Sequence, residues 1–361
     1  MIKYSFVLPT KNRAQLVGGA IESILSQTLT DYELIIIDND DSNDTLNVVS
    51  NFKDNRVKHI RTGGLGMPQN WKKALNESKG EWTIFVEDKF RIKKNCLETL
   101  EYFINHMPSL CYSWLATPDG RDHLRPDFYS AWITAESINS VDSIMDIANG
   151  KFHKYWDKIP KLLNSAIHRK LIDKIENQSC QSLCSPVSPD FTSAFALLLN
   201  CEKYVHINAV LSTIVAGAPS QGEESRKLTK DSYKLFTEAG LEVSCSYNIV
   251  PAKYHSLRNS IYNDFLNCLQ RFEKKDSFPI NKTSYYIQLS EEMRLLEKEK
   301  SDVKYKEILK QSFYSESLLT KSKVLINEFI ATINPFYFKK QYAFRVGIFN
   351  SIKRILILNG I

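Results

Sequence analysis

Three groups of ligand-type residues follow three short apolar runs within the first 90 positions. Phe6-Val7-Leu8 leads into Pro9-Thr10-Lys11-Asn12-Arg13, Leu34-Ile35-Ile36-Ile37 into Asp38-Asn39-Asp40-Asp41, and Thr83-Ile84-Phe85-Val86 into Glu87-Asp88-Lys89. Carboxylates accept hydrogen bonds and hold cations, a hydroxyl donates and accepts, and arginine or lysine neutralises an anion. Gathered around one cleft, such groups suit a polar, charged small molecule. A further carboxylate, Asp190, opens the apolar stretch Phe191–Leu199. In that position an aspartate can cap a helix, or it can take the proton from a hydroxyl that is about to attack.

The elements between these groups decide whether they meet. Residues 14–27 predict a helix with Leu16, Ala20, Ile24 and Leu25 on one face, and 42–52 a second with Ser42 or Asp44 as N-cap. Val57–Ile60 predicts a strand. Gly63-Gly64-Leu65-Gly66 is a turn, and Pro68 suits the first turn of a helix carrying Trp71, Ala74 and Leu75 that stops near Lys79-Gly80. A strand over 82–86 and a helix over 95–106 complete a β-α-β-α-β-α-β layout. Alternation of this kind implies a parallel sheet, and open sheets of that class bind ligands at the carboxyl ends of their strands. Further on, 110–116 predicts a strand, Pro118-Asp119-Gly120 a turn, and 163–176 a helix with Leu163, Ile167, Leu171 and Ile175 four apart. A loop over 178–189 precedes the Asp190 helix, and 205–215 reads as one or two strands. Past Leu228 the chain reads as mostly helical and more charged, which puts a boundary near 220.

Composition narrows the field. The 361 residues carry 47 Lys and Arg against 41 Asp and Glu, a formal charge of +6 that suits an anionic ligand or surface but is too diffuse for nucleic acid. Seven scattered cysteines, with only Cys180 and Cys184 close and not at zinc or thioredoxin-like spacing, read as reduced thiols. A strand begins almost at once, so no signal peptide is expected, and no run of about 18 apolar residues exists to span a membrane. The glycines at 63–66 fit neither a dinucleotide fingerprint nor a P-loop.

With the elements placed, the strand ends resemble a known family. Phe6–Arg13 followed by Ala20–Thr28, Tyr32–Asn39 with Ser42-Asn43-Asp44-Thr45, Leu65–Trp71, Lys79-Gly80-Glu81-Trp82 and Phe85-Val86-Glu87-Asp88 together resemble the opening of family 2 glycosyltransferases with the GT-A fold. The resemblance is continuous over 1–105. It is weaker over 160–225, where His168–Ile172, Ser188-Pro189-Asp190-Phe191 and Ile214–Gly217 look similar to the acceptor half of some bacterial surface-polysaccharide members. It implies an α/β, GT-A-like nucleotide-binding sheet flanked by helices over 1–220, with a donor half (1–105), an acceptor half (106–220) and a mostly helical C-terminal extension (221–361).

The resemblance also implies chemistry. A nucleoside-diphosphate sugar would be the donor, lined by Pro9, Thr10, Arg13, Asp38, Asn39, Asn70, Glu87, Asp88 and Lys89. Asp38 would accept hydrogen bonds from base or ribose, although the register at Asp38-Asn39-Asp40-Asp41 is ambiguous by one residue. Asp190 would be the base. The acceptor would be a hydroxyl of a bacterial cell-surface glycan, free or lipid-linked, with inversion at the anomeric carbon. One departure stands out. Relatives carry Asp-any-Asp after the fourth strand, whose last carboxylate holds Mg²⁺ or Mn²⁺; here Asp88-Lys89-Phe90 replaces it, and a phenyl ring offers no ligand. A metal held by Asp88 with Glu87 or a remote ligand such as His255, neutralisation of the diphosphate by Lys89 and Arg91, and an inactive site all remain open. The alternative from another class is a non-catalytic GT-A scaffold in a polysaccharide assembly complex.

Residues 334–361 hold five basic residues and no acid, with Phe344, Ile348, Ile352 and Leu356 forming an apolar stripe. Such a helix can lie on an anionic membrane or dock on the protein's core or a second subunit. The expected location is cytoplasmic, with peripheral attachment to the inner face of the cell membrane as the membrane-bound version.

Overall fold

The computed structural model describes residues 2–118, 133–178, 182–184, 189–215, 257–298, 311–313 and 315–333. Its centre is one mixed sheet in the order β3-β2-β1-β4-β8-β6-β9-β5, with β7 paired to β9. The first half follows the predicted alternation: β1 (Tyr4–Thr10), α1 (Ala14–Leu25), β2 (Tyr32–Asp38), α2 (Asp44–Val49), β3 (Val57–Arg61), α3 (Met67–Glu77), β4 (Trp82–Phe85), β5 (Phe90–Ile92) and α4 (Cys96–His106). β1 pairs in parallel with both β2 and β4, and β2 with β3. Every residue of β1 is buried, the signature of a strand covered on both faces by helices. The α1 face toward the core is Val17, Ala20, Ile21 and Ile24, turned by about one position from the predicted stripe.

The second half is not parallel throughout. It contains β6 (Cys111–Pro118), β7 (Ala135–Asn139), α5 (Ser140–Ala148), β8 (Ser165–His168), α6 (Arg169–Gln178), α7 (Pro189–Asn200) and β9 (Lys203–Ile214). The predicted helix over 163–176 is corrected here. Its first part is a tight 3-10 turn, Leu162–Asn164, followed by β8, which runs antiparallel between β4 and β6; only from Arg169 is the chain helical. A run as short as Ser165–His168, with only Ala166 and Ile167 apolar, carries too little periodicity to separate helix from buried strand, and the edges of β4 and β6 decided it. The stretch 205–215 is one long strand with bulges where it pairs with β6, not two. At α2 the N-cap position is Asn43 rather than Ser42 or Asp44, while the Ser42 hydroxyl accepts the Asp44 amide at 3.1 Å.

Three further helices are described, Leu257–Arg271, Lys282–Lys298 and Leu318–Ile333. The first is not separate from the sheet: Ile261, Phe265, Cys268 and Leu269 join the core that contains Phe195 and Leu198 of α7. The boundary expected near 220 lies outside the described residues. No described helix is long and apolar enough to cross a membrane. The five described cysteines, Cys96, Cys111, Cys184, Cys201 and Cys268, are free.

Candidate functional site

The carboxyl ends of β1 and β4 are neighbours, so the residues that follow them meet. The Thr10 hydroxyl donates to Asp88 Oδ2 at 2.9 Å, and Arg13 Nη1 to Asp88 Oδ1 at 3.1 Å. Asp88 is 3% exposed. Burial pushes its carboxyl upward, Glu87 adds to the rise, and Arg13 and Thr10 oppose it. Pro9 is buried opposite Ile37 of β2, past Val7, the last β1 residue paired with β4. A residue without an amide hydrogen is tolerated where one side of a strand has no ladder. Asn12 sits in the left-handed region at φ 54°, and its amide donates to the Asp40 carboxylate. Asp40 also accepts the Thr45 hydroxyl at 2.6 Å, so it ties the β1–α1 loop to α2.

Asp38, Asn39 and Asn70 form the inner wall of this rim. Asp38 is fully buried; Oδ1 accepts the Asp40 amide at 2.9 Å, and Oδ2 lies 3.0 Å from His59 Nε2 and 3.7 Å from Arg61 Nε. The carboxylate expected to face base or ribose is therefore turned toward β3. Asn39 takes both backbone groups of Leu65, accepting its amide at 3.0 Å and donating to its carbonyl at 2.6 Å. Thr62 bridges Asn39 and Asn70 through its hydroxyl, at 3.3 and 2.9 Å. These bonds pin the glycine turn, where Gly63 and Gly64 have φ of +56° and +67°, a conformation that glycine adopts without a Cβ penalty.

After β4 the chain places Glu87 and Lys89 side by side, with Lys89 Nζ 2.8 Å from Glu87 Oε2. Phe90, in the place where relatives keep a carboxylate, begins β5; that strand pairs with β9, and its ring is 4% exposed. The phenyl group is thus a core residue. Arg91 is also a correction. Its guanidinium donates to the Asp88 and Phe90 carbonyls at 2.9 and 2.8 Å and to Leu16 at 3.3 Å. It lies against α1 so closely that a Cβ on Gly19 would stand 2.5 Å from it. Arg91 therefore braces the backbone and does not face a diphosphate.

Asp190 lies in the first turn of α7, where the charges of Glu87 and Lys89 act on it. Burial, with Glu87 second, raises its carboxyl to about 6 against the opposing pull of Lys161, Lys89 and a backbone hydrogen bond from Leu163. Its Oδ1 is closed off from solvent and accepts no hydrogen bond among the described residues. The charge of Lys161, which no sequence motif marked, also acts on Asp190. The ammonium donates to the Trp156 carbonyl at 2.8 Å and lies 5.0 and 5.5 Å from the ring centres of Trp156 and Phe191. Burial lowers the pKa of Lys161, and Asp190 and Asp157 oppose that. The structure thus joins Thr10 and Arg13 to Asp88 and Lys89 to Glu87 at the rim, with Asp190 within electrostatic reach of that pair and Lys161 within reach of Asp190. Asp38, Asn39 and Asn70 lie behind it; His255, Ser188 and 334–361 lie outside the described residues.

Oxygen ligands for a divalent ion fit this arrangement poorly. The Asp88 oxygens face Thr10 and Arg13, Glu87 faces Lys89, and Phe90 is in the core. What the rim offers instead is fixed cations beside carboxylates, with Asp190 Oδ1 and Glu87 Oε2 accepting no hydrogen bond among the described residues. That set can bind an anion and accept a proton.

Residues 5–159 match the model for glycosyl transferase family 2. A GalNAc(5)-diNAcBac-PP-undecaprenol beta-1,3-glucosyltransferase of Campylobacter jejuni is 30% identical over 167 residues, which cover 44% of this chain and 52% of that protein. The poly(ribitol-phosphate) beta-N-acetylglucosaminyltransferase TarS of Staphylococcus aureus is 29% identical over 112 residues, 29% of this chain and 19% of TarS. The chain therefore spans about half the length of the first relative and about a fifth of the second. Among solved structures, S. aureus TarS 1-349 in complex with UDP-GlcNAc aligns with a TM-score of 0.48 and 17% identity, covering 90% of this chain and 89% of that one.

Proposed function

With a family 2 glycosyltransferase domain over residues 5–159 as the premise, we propose that this chain transfers a sugar from a nucleoside diphosphate to a hydroxyl of a bacterial cell-surface glycan. The observation that carries the reading is Asp190, a half-buried aspartate whose Oδ1 is closed off from solvent and unmatched, within electrostatic reach of the Glu87–Lys89 pair that follows β4. In the reaction the acceptor O–H gives its proton to Asp190 as its oxygen bonds to the anomeric carbon. The bond from that carbon to the diphosphate oxygen breaks in the same step, and its electron pair leaves with the diphosphate. One in-line displacement inverts the anomeric centre. Lys89, held next to the developing charge, stabilises the leaving group electrostatically.

Donor binding falls to the β1 and β4 ends. Thr10, Arg13, Asp88 and Lys89 would surround the nucleotide, with Asn39 and Asn70 holding the glycine turn that borders it. A resident Mg²⁺ or Mn²⁺ would supply charge at the diphosphate; Lys89 is the cation this chain would offer there. The acceptor is a membrane-bound glycan, and 334–361 would keep the enzyme at an anionic surface from the cytoplasmic side.

Two measurements test the proposal. A panel of UDP- and GDP-sugars should raise the melting temperature by mass action on the native state. With the sugar so identified, Asp190→Asn should keep donor affinity and lose about a hundredfold or more in transfer rate, as expected for a lost general base. Because the Asp190 carboxyl is raised to about 6, the base is protonated below that pH. Transfer should therefore fall on the acid side of pH 6 and level off above it. Normal transfer by Asp190→Asn puts the base elsewhere.

A further inference from the structure

The turn from β1 into α1 contains one residue in an uncommon conformation. Asn12, at φ 54°, lies in the left-handed region, which asparagine tolerates better than most residues with a Cβ but does not prefer. Its amide donates to Oδ1 of the Asp40 carboxylate. Asp40 is 2% exposed, and Oδ2 accepts the Thr45 hydroxyl of α2 at 2.6 Å, so the carboxylate is held on both sides. The backbone around it is held as well. The Asp40 amide donates to Asp38 Oδ1 at 2.9 Å, and Asp38 Oδ2 lies 3.0 Å from His59 Nε2 of β3. One residue earlier, the Asn39 amide donates to the Thr10 carbonyl at 3.0 Å. A hydrogen-bonded frame thus runs from β3 through the loop 38–40 to Asn12.

The groups that this frame sets lie on either side of Asn12. Thr10, two residues before it, and Arg13, directly after it, donate to the two oxygens of Asp88 at 2.9 and 3.1 Å. Arg13 also begins α1, its carbonyl accepting the Leu16 and Val17 amides at 2.9 and 3.2 Å. The chain has to bend between Thr10 and Arg13 for both to reach one carboxylate, and the left-handed residue between them supplies the bend. We propose that Asp40 is a positioning residue of the donor site: by holding Asn12 left-handed, it presents Thr10 and Arg13 together to a nucleoside diphosphate. This rests on the reading of the β1 and β4 ends as the donor site. It also divides the labour within Asp38-Asn39-Asp40-Asp41. Asp38 anchors the loop to β3, Asp40 shapes the β1–α1 turn, and Asp41 is exposed.

Hydrogen exchange tests the hold without a ligand. In Asp40→Ala the Asn12 amide should exchange about tenfold faster, as for loss of one hydrogen bond to a charged group, with the amides of β1 unchanged. Unchanged exchange at Asn12 in a folded Asp40→Ala overturns the proposal. Nucleotide titration tests the use of the hold. Wild-type protein is titrated with UDP and GDP, and the Kd of the one that binds should rise about tenfold in Asp40→Ala. Asp40→Asn keeps an acceptor oxygen and should stay within about threefold of wild type. A glycine then separates positioning from general loss of stability. Glycine rests in the left-handed region with nothing to hold it, so Asn12→Gly added to Asp40→Ala should bring the Kd back to within about threefold of wild type, even though glycine loosens the unfolded chain and lowers stability. A loss caused by weakened folding alone would deepen in that double variant, and failure of the glycine to restore binding overturns the proposal. If Asp40→Ala fails to fold, Asn12→Ala takes its place, since alanine resists the left-handed region; a folded Asn12→Ala that binds as tightly as wild type overturns the proposal. Wild-type protein that binds neither UDP nor GDP, while Asn12 exchange still responds to Asp40→Ala, sinks the donor reading and the positioning role with it, and leaves only the hold on the turn.

Discussion

At the scale of single residues, the site is defined by which polar atoms are already matched. Asp88 has Thr10 and Arg13, Asp38 has His59 and its own loop, and Asp190 alone keeps an unmatched carboxylate oxygen among these three. That difference separates three aspartates that look alike in the sequence. It also bears on metal dependence. Lysine offers charge but no coordination, so Lys89 can replace an ion at a diphosphate rather than help to bind one. Transfer and donor binding are expected to survive EDTA, and Lys89→Ala should weaken a nucleoside diphosphate more than the nucleoside. An assay run in EDTA and again with Mg²⁺ and Mn²⁺ checks this; complete loss followed by full rescue would show Asp88 working as a metal ligand.

At the scale of elements, close approaches matter more than propensities. Gly80, which marked the end of α3 in the sequence, is not there for a left-handed cap. A Cβ at that position would stand 2.6 Å from the Ser5 amide nitrogen, and the Gly80 amide itself donates to the Ser5 hydroxyl at 2.7 Å. The glycine lets the chain entering β4 lie against the start of β1, and so sets the register that brings Asp88 to Thr10. Because the obstacle is backbone and cannot move aside, Gly80→Ala is expected to cost about 1–3 kcal/mol, the usual range for overpacking. Urea unfolding of the two proteins measures it, with an unchanged slope. A loss below the error of the fit would mean that β1 and β4 can separate freely. β8 makes the complementary point: Ser165–His168, a stretch that also fits a helical period, became a strand because two sheet edges flanked it.

At the scale of the whole molecule, the helices beyond the sheet serve two ends. The helix Leu257–Arg271 completes the core behind α7 and so backs the turn that carries Asp190. The helix Leu318–Ile333 instead exposes Leu318, Leu319, Leu325 and Ile326, with Leu318 at 81%. It leads directly into the basic, aromatic stretch 334–361. An apolar face beside clustered basic residues suits an anionic surface, at roughly 1 kcal/mol for each basic residue near it. Deleting 340–361 is therefore expected to leave a protein that binds donor but sediments less with anionic liposomes; equal sedimentation of both forms would assign the segment to the core or to another subunit.

The sequence by itself determined the strands β1 to β4, the helices between them, the family they resemble and, Lys161 apart, which residues to look for at the rim. These signals are local: each is an apolar period or a short motif that a few neighbouring residues carry. The tertiary structure decided the rest. It turned Asp38 and Arg91 away from the cleft, put Phe90 into a core strand, converted Ser165–His168 to a strand and brought the charge of Lys161 to bear on Asp190. Each of those depends on a partner distant along the chain, and the direction a side chain takes is set by whichever partner satisfies its charge and hydrogen bonds at least desolvation cost.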